Sequence, residues 1–171
     1  MDRCAECGFD YDALAVSDIP STLRSFADPY GTRMVETDVE RLRAHPVDGV
    51  WSVLEYGCHV RDVLQVQRQR IDLILAEDCP TLTPMGRDER VTRDHYNEQD
   101  PRAVADDLRA AANELASAFA ALSADEWQRT AIYNYPTTQE RTLVWIGRNA
   151  VHEGTHHLLD VDRLLSTAPD G

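Results

Sequence analysis

Apolar side chains recur every three or four residues along most of the chain, the spacing that places them on one face of an α-helix. The first such segment starts at Asp18, where an aspartate cap and Pro20 in the first turn are typical of a helix start. A short helical piece at 38–44 follows and ends at His45–Pro46, because proline cannot continue a helix. The inward positions of the first helix are Leu23, Phe26, Tyr30 and Met34.

A second main helix is predicted from Ser52 to about Glu77. Ser52 and Glu55 have the spacing of a capping box, in which each side chain bonds the backbone N–H of the other residue. Residues 79–101 are polar and rich in turn residues. This long connection either covers one end of the helices and shapes a pocket, or is a solvated crossover with no further role.

The third and fourth main helices are predicted at 101–122 and 140–165, and residues 130–138 between them are irregular or weakly extended. The chain shows no internal repeat and no alternation that would argue for a sheet. We therefore predict an all-α protein with the fold of a four-helix bundle. Its parts are an N-terminal leader at 1–16, one bundle domain at 17–166 and a C-terminal tail at 167–171.

The composition excludes several classes of protein. The 171 residues fit one domain with a core large enough to fold unaided, and no apolar run approaches the roughly 20 residues of a membrane span. A formal net charge of −13 disfavours nucleic acid and anionic membrane surfaces as partners, because both bind basic patches. The N-terminus shows no secretion signal, so we expect a cytoplasmic protein whose cysteines are thiols or metal ligands.

The segment HEGTHH at 152–157 carries the most specific chemistry. His152 and His156 are four residues apart, so a helix places both imidazoles on one face, where they can clamp a divalent metal ion. Two histidines rarely suffice for such an ion, and the best third ligand upstream is His59 on the second helix. Glu153 and His157 lie about 100° further round the helix, so we expect both to point away from this metal.

The leader contains Cys4 and Cys7 in a CxxC spacing, the shape of a zinc knuckle or of a redox pair. A zinc ribbon needs a second CxxC pair, and the chain has none. Two further interpretations stay open. The thiols could take part in redox or thiol chemistry near the metal, or they could be spare thiols in a tight turn.

Trp51–Ser52 before the second helix, His59 within it, and His152 and His156 on the fourth helix resemble, in this order and spacing, the DinB/YfiT-like superfamily of metalloenzymes. The likeness covers residues 18–165. It implies an up-down-down-up order of the four helices, with a divalent metal at one end held by the three matching histidines. The CxxC leader is not part of the family pattern, so the resemblance implies no role for it.

Some members of this superfamily use mycothiol or bacillithiol as transferases or isomerases, so the resemblance implies a metal-dependent thiol S-transferase or a related enzyme. A thiol bound to a metal ion loses its proton readily, and the thiolate can attack a small electrophilic substrate. Three histidines accept Zn, Ni, Mn or Fe and leave positions open for water and substrate. We expect Arg148 or Arg61 to hold the polar groups of the thiol.

Two other functions stay open. HEGTH matches the HExxH motif, in which Glu153 would be the general base of a metal-dependent hydrolase. The extended metzincin motif is absent, because Leu159 and Asp162 stand where it requires glycine and histidine. The remaining hypothesis is a non-catalytic metal-binding bundle, either a homodimer or a stress-induced binding protein.

Overall fold

The computed structural model describes residues 3–47, 49–135 and 137–166, so the predicted tail at 167–171 lies outside the described residues. Its helices are α1 (Ile19–Glu36), α2 (Val39–Arg43), α3 (Val53–Ala76), α4 (Arg87–Arg93), α5 (Pro101–Ala120) and α6 (Leu143–Ser166). Its strands are β1 (Thr130–Tyr133) and β2 (Gln139–Thr142), which pair as an antiparallel hairpin. None of the helices in the described ranges is long and apolar enough to cross a membrane.

Helices α1, α3, α5 and α6 form a four-helix bundle. Helices α1 and α3 lie on one diagonal and α5 and α6 on the other, since each helix of one diagonal packs on both helices of the other. Contacts between residues set the direction of each helix, so that α5 is antiparallel to α1, α6 is parallel to α1, and α3 is parallel to α5. This order is up-down-down-up, which confirms the predicted all-α bundle. The contacts are Asp28 with Arg109 and Arg24 with Ser117, Ile19 with Gly147 and Arg33 with Asp162, and Gly57 with Val104; Arg68 and Asn113 line one surface cavity further along α3 and α5.

The start of α3 is held by the predicted capping box. Ser52 Oγ accepts a hydrogen bond from the Glu55 backbone N–H at 3.2 Å, and Glu55 Oε2 accepts one from the Ser52 N–H at 2.8 Å. Ser52 Oγ also donates to Asn97 Oδ1 at 2.7 Å, which ties the cap to the connection between α3 and α5. These bonds satisfy backbone donors that the first turn of a helix leaves free, and they fix the turns that carry His59.

The hairpin is where the fold differs from the prediction. Thr130 pairs with Thr142, so residues 139–142 form a strand and α6 begins at Leu143. Each strand has four residues, too few for a pattern of alternation to stand out in the sequence. The Leu82 N–H donates to the Ile132 carbonyl at 2.9 Å, so the hairpin also anchors the connection that follows α3.

The leader packs along the outer side of α6. Tyr11 is buried, and its ring stacks on Trp145 with 5.8 Å between the ring centroids. Arg148 Nε donates to the Leu14 carbonyl at 3.0 Å. One side of α6 therefore faces the other bundle helices, while the side that carries Trp145 is covered by the leader.

Candidate metal centre

Helix α6 presents two faces with metal-binding side chains, because neighbouring residues of a helix are about 100° apart. Glu153 and His157 lie on the face that meets α3, where they form the inner cluster with His59. The other face meets the leader, and its side chains form the outer cluster. The members of the outer cluster are Cys4, Cys7, His152 and His156. Within each cluster, one ligand atom from every residue lies within 4.8 Å of the others.

The three histidines that were predicted to share one metal ion, His59, His152 and His156, are divided between the two clusters. His59 instead contacts Glu153 and His157, the pair expected to point away from the metal. That expectation took the ridge of His152 and His156 as the side of α6 that faces the bundle. The leader covers this ridge, and the neighbouring face of α6 meets α3.

In the inner cluster one carboxylate lies between two imidazoles. Glu153 Oε2 is 3.8 Å from His59 Nε2 and 3.6 Å from His157 Nε2. On the other side of its ring, His157 Nδ1 lies 3.0 Å from Asp160 Oδ2. A carboxylate in that position accepts a hydrogen bond from Nδ1–H and leaves Nε2 free to bind a metal ion. Asp160, three residues after His157, is the sequence signal that could have identified this histidine.

The environment of His59 also fits a metal ligand. The residue is 3% exposed, and its Nδ1 has no hydrogen-bond partner in the described part of the chain. Its ring centroid lies 4.9 Å from that of Trp51. A core histidine without a ligand would normally have both nitrogens hydrogen-bonded, because burial removes water from them. The residues of the inner cluster therefore fit a divalent metal ion.

The charges in the inner cluster are arranged around one position. Burial opposes ionisation of Glu153, but His157 and His59 lower the pKa of its carboxyl well below the usual range. Burial also opposes protonation of His157, but Asp160 and Glu153 raise its pKa to about 9. Burial lowers the pKa of His59, which favours its neutral form. The cluster thus stabilises positive charge beside two carboxylates, and a divalent cation would bind there in place of a proton.

A cavity of about 300 Å³ opens onto the inner cluster, and His59 and Glu153 form part of its wall. No residue of the outer cluster is among the described residues that line this cavity. A small molecule in the cavity would therefore meet the inner cluster, which makes this cluster the candidate active site. The basic and aromatic residues of the wall are Arg70, Arg87, Tyr133 and Tyr135.

Arg148 and Arg61, which were expected to hold a thiol, lie outside the wall of this cavity. Arg148 bonds the leader, as described above. Arg61 is buried, its Nε pairs with Asp62 Oδ1 at 2.8 Å, and its Nη1 donates to Gln99 Oε1 at 2.7 Å. Both side chains join parts of the fold, so the arginines that a ligand in the cavity would meet are Arg70 and Arg87.

The fold and the inner cluster together define an up-down-down-up helical bundle with a candidate metal centre beside a cavity. The family model of the DinB superfamily matches residues 28–160. The chain belongs to this superfamily, which confirms the resemblance of its motifs. A search of curated proteins found no match.

Two solved proteins have similar folds. YfiT from Bacillus subtilis, a probable metal-dependent hydrolase with an unusual four-helix bundle topology, superposes with a TM-score of 0.76 at 16% sequence identity, over 92% of this chain and 93% of that one. A mycothiol-dependent maleylpyruvate isomerase superposes with a TM-score of 0.71 at 15% identity. That match covers 90% of this chain and 63% of the isomerase chain, so this chain spans less than two thirds of that protein.

Proposed function

We propose that the protein is a divalent-metal-dependent enzyme whose metal ion is held by the inner cluster. The position of two of its residues, His59 and Glu153, in the wall of the cavity supports the proposal. Of the three histidines predicted as ligands, His59 is kept, while Glu153 and His157 replace His152 and His156. Three protein ligands leave coordination positions open, which is typical of catalytic rather than structural sites.

The proposed co-substrate is a low-molecular-weight thiol of the mycothiol type, and the proposed reaction is S-transfer to a small electrophile or a related reaction. A metal ion in the inner cluster would lower the pKa of a bound thiol and make thiolate available at neutral pH. The likeness in fold to a mycothiol-dependent isomerase supports this choice of thiol. Two imidazoles and a carboxylate accept Zn, Ni, Mn or Fe, so the donor atoms alone do not select the metal.

The chain supplies the orientation of the ligands and the shape of the site. Asp160 holds the His157 ring through Nδ1 and directs Nε2 towards Glu153. Trp51 packs on His59 and excludes water from one side of its ring. The Arg87 guanidinium lies 5.9 Å from the centroid of the Trp51 ring and belongs to the wall of the cavity, where it would pair with an anionic group of the thiol or substrate.

Metal analysis of matched variants tests the site. We expect His59→Ala and His157→Ala each to lose one equivalent of bound divalent metal per chain, because each removes a ligand of the inner cluster. The control is His95→Asn, which removes an exposed imidazole outside both clusters and keeps a residue that tolerates the positive φ at this position. Full metal occupancy in His59→Ala would contradict the proposed ligand set.

Turnover of a chlorinated aromatic electrophile, measured with and without mycothiol, tests the reaction. The proposal requires a rate that depends on both metal and thiol, and that rate should fall at least as far as the metal content in His59→Ala. If the protein held metal at the inner cluster but showed no thiol-dependent rate, the proposed metal site would stand and the proposed thiol reaction would be refuted.

The second candidate function is metal-dependent hydrolysis, which the likeness in fold to YfiT favours. In this function a metal ion held by the inner cluster would bind water, and Glu153 would be a ligand of that ion rather than the general base of an HExxH motif. The two functions differ in one assay, since ester hydrolysis without added thiol is expected only of the hydrolase. Homodimerisation stays a prediction, which light scattering of the purified protein would test.

A further inference from the structure

The leader folds into a tight knuckle around its two cysteines. Arg3 and Asp10 form a β-bridge, and between them the Cys4 N–H donates to the Phe9 carbonyl at 2.9 Å. Gly8 has a φ of +76°, a left-handed conformation that lets the chain turn back immediately after Cys7. The turn brings the Phe9 N–H to 3.5 Å from Cys7 Sγ. A backbone N–H directed at sulfur stabilises a thiolate, the form in which cysteine binds metal ions.

His152 has one nitrogen oriented by the protein and one left free. The Tyr11 hydroxyl donates to Asn149 Oδ1 at 2.9 Å and lies 2.9 Å from His152 Nδ1. Because the hydroxyl proton is used by Asn149, the hydroxyl oxygen accepts a hydrogen bond from His152 Nδ1–H. His152 Nε2 then carries a lone pair, and this nitrogen is buried without a hydrogen-bond partner in the described residues.

His156 completes the group from one turn further along α6. Its Nδ1 lies 3.6 Å from Cys4 Sγ, while its Nε2 lies 3.3 Å from Glu6 Oε2 and 3.7 Å from Asp160 Oδ2. Carboxylates beside Nε2 orient the ring so that Nδ1 faces the cysteines. In a tetrahedral zinc site with Zn–S near 2.3 Å and Zn–N near 2.05 Å, neighbouring sulfur and nitrogen ligands are about 3.6 Å apart. The Cys4 to His156 distance equals this edge.

We infer that Cys4, Cys7, His152 and His156 bind a second metal ion, zinc, in a closed Cys₂His₂ site that fastens the leader to α6. Two thiolates and two imidazoles are a ligand set that zinc prefers, and four protein ligands leave no position open for a substrate. The site lies outside the wall of the cavity, in keeping with a structural role. The inference does not rest on the proposed function, because the two clusters share no ligand.

Substitution with cobalt tests the inference through a readout other than activity. Cobalt bound by thiolates gives a sulfur-to-metal charge-transfer absorption, whereas imidazole and carboxylate ligands do not. We expect this absorption in the cobalt-loaded full chain and in His59→Ala, and we expect its loss in the double variant Cys4→Ser, Cys7→Ser. The control is Cys79→Ser, which removes a cysteine outside the cluster and should keep the absorption. Absence of the absorption in the unmodified protein would overturn the inference.

Thiol labelling of the unmodified protein supplies a second measurement that does not depend on the folding of a variant. With zinc bound, Cys4 and Cys7 should resist a thiol reagent, and removal of zinc by a chelator should expose both. Cys58 is buried and its pKa is raised to about 12 by that burial, so it should stay unlabelled in either state. Equal labelling of Cys4 and Cys7 with and without zinc, or formation of a disulfide between them in the presence of zinc, would refute the site. The rival role as a redox pair would then be favoured.

Discussion

Gly154 allows α6 to approach α1 beside both clusters, and its replacement by alanine has an effect that can be calculated from the structure. A Cβ at this position would lie 2.5 Å from Phe26 Cζ, 2.7 Å from Cε1 and 2.8 Å from Cε2. Phe26 is 6% exposed, so its ring cannot swing into solvent. The Tyr30 hydroxyl also donates to the Gly154 carbonyl at 2.8 Å, which holds the two helices together here.

The expected magnitude combines two opposing terms. Overpacking of a core costs about 1–3 kcal/mol, while the change from glycine to alanine within a helix stabilises by about 1 kcal/mol. Gly147→Ala, on the same helix, is the matched control, because there the new Cβ would meet Ile19 and Phe119 at 3.2 Å. The gain from replacing glycine by alanine in a helix is common to both variants. The free energy of unfolding of Gly154→Ala should therefore be lower than that of Gly147→Ala by about 1–2 kcal/mol.

Urea denaturation followed by circular dichroism measures this difference. A chelator must be present, because bound metal would add its own stabilisation to both proteins. Phe26→Leu in the Gly154→Ala background should recover part of the loss, and the double-mutant cycle then gives a favourable coupling between the two positions. If Gly154→Ala were as stable as Gly147→Ala, the close approach of α6 to Phe26 would be disproved.

Three further substitutions have expected outcomes. Asp160→Asn should weaken metal binding at the inner cluster by about ten- to a hundredfold, because it removes the carboxylate that orients His157; a competition titration with a chelator measures this. Tyr11→Phe leaves its buried partners without their hydrogen bond and should lower the free energy of unfolding by about 1–3 kcal/mol in urea denaturation. Ser52→Ala removes the cap of α3 and should lower the melting temperature, at a cost of about 1 kcal/mol.

Two of these outcomes have a control variant within the chain, and the third has a result that would contradict it. Asp106→Asn, at an exposed carboxylate far from the clusters, should leave metal affinity unchanged, and an equal effect would assign the Asp160 result to net charge alone. Ser21→Ala removes an exposed serine of α1 and should not change the melting temperature. A Tyr11→Phe variant as stable as the unmodified protein would show that the hydroxyl does not hold the leader.

The bundle itself could be predicted from the sequence, because its determinants are local. The apolar stripes, the Ser52 capping box and Pro101 after its aspartate cap each depend on residues within one or two turns. The hairpin could not be predicted from the sequence, since strands of four residues depend on their partner strand and on the connection beside them. For the same reason the approach of residues 82–89 to α3, which shapes the cavity, has no local signal.

The candidate site was predicted in part. His59 has the position expected of it beside α6, but the choice between the two faces of α6 depended on what covers each face. A helix buried on two sides has two apolar stripes, and Trp145, on the same ridge as His152 and His156, packs on Tyr11 of the leader. The rotation of a helix about its own axis depends on tertiary packing. Here that rotation decides whether the pair His152 and His156 or the pair Glu153 and His157 meets His59.

Asp160 belongs to the surroundings of both clusters. The same oxygen, Oδ2, lies 3.0 Å from His157 Nδ1 and 3.7 Å from His156 Nε2. Metal ions in both clusters would be thermodynamically linked, since an ion at either site would polarise an imidazole that lies beside this carboxylate. Reciprocity then requires that zinc at the outer cluster changes the affinity of the inner cluster by the same factor as the reverse. Zinc binding to the leader would thus change the metal affinity of the inner cluster without a contact to any of its ligands.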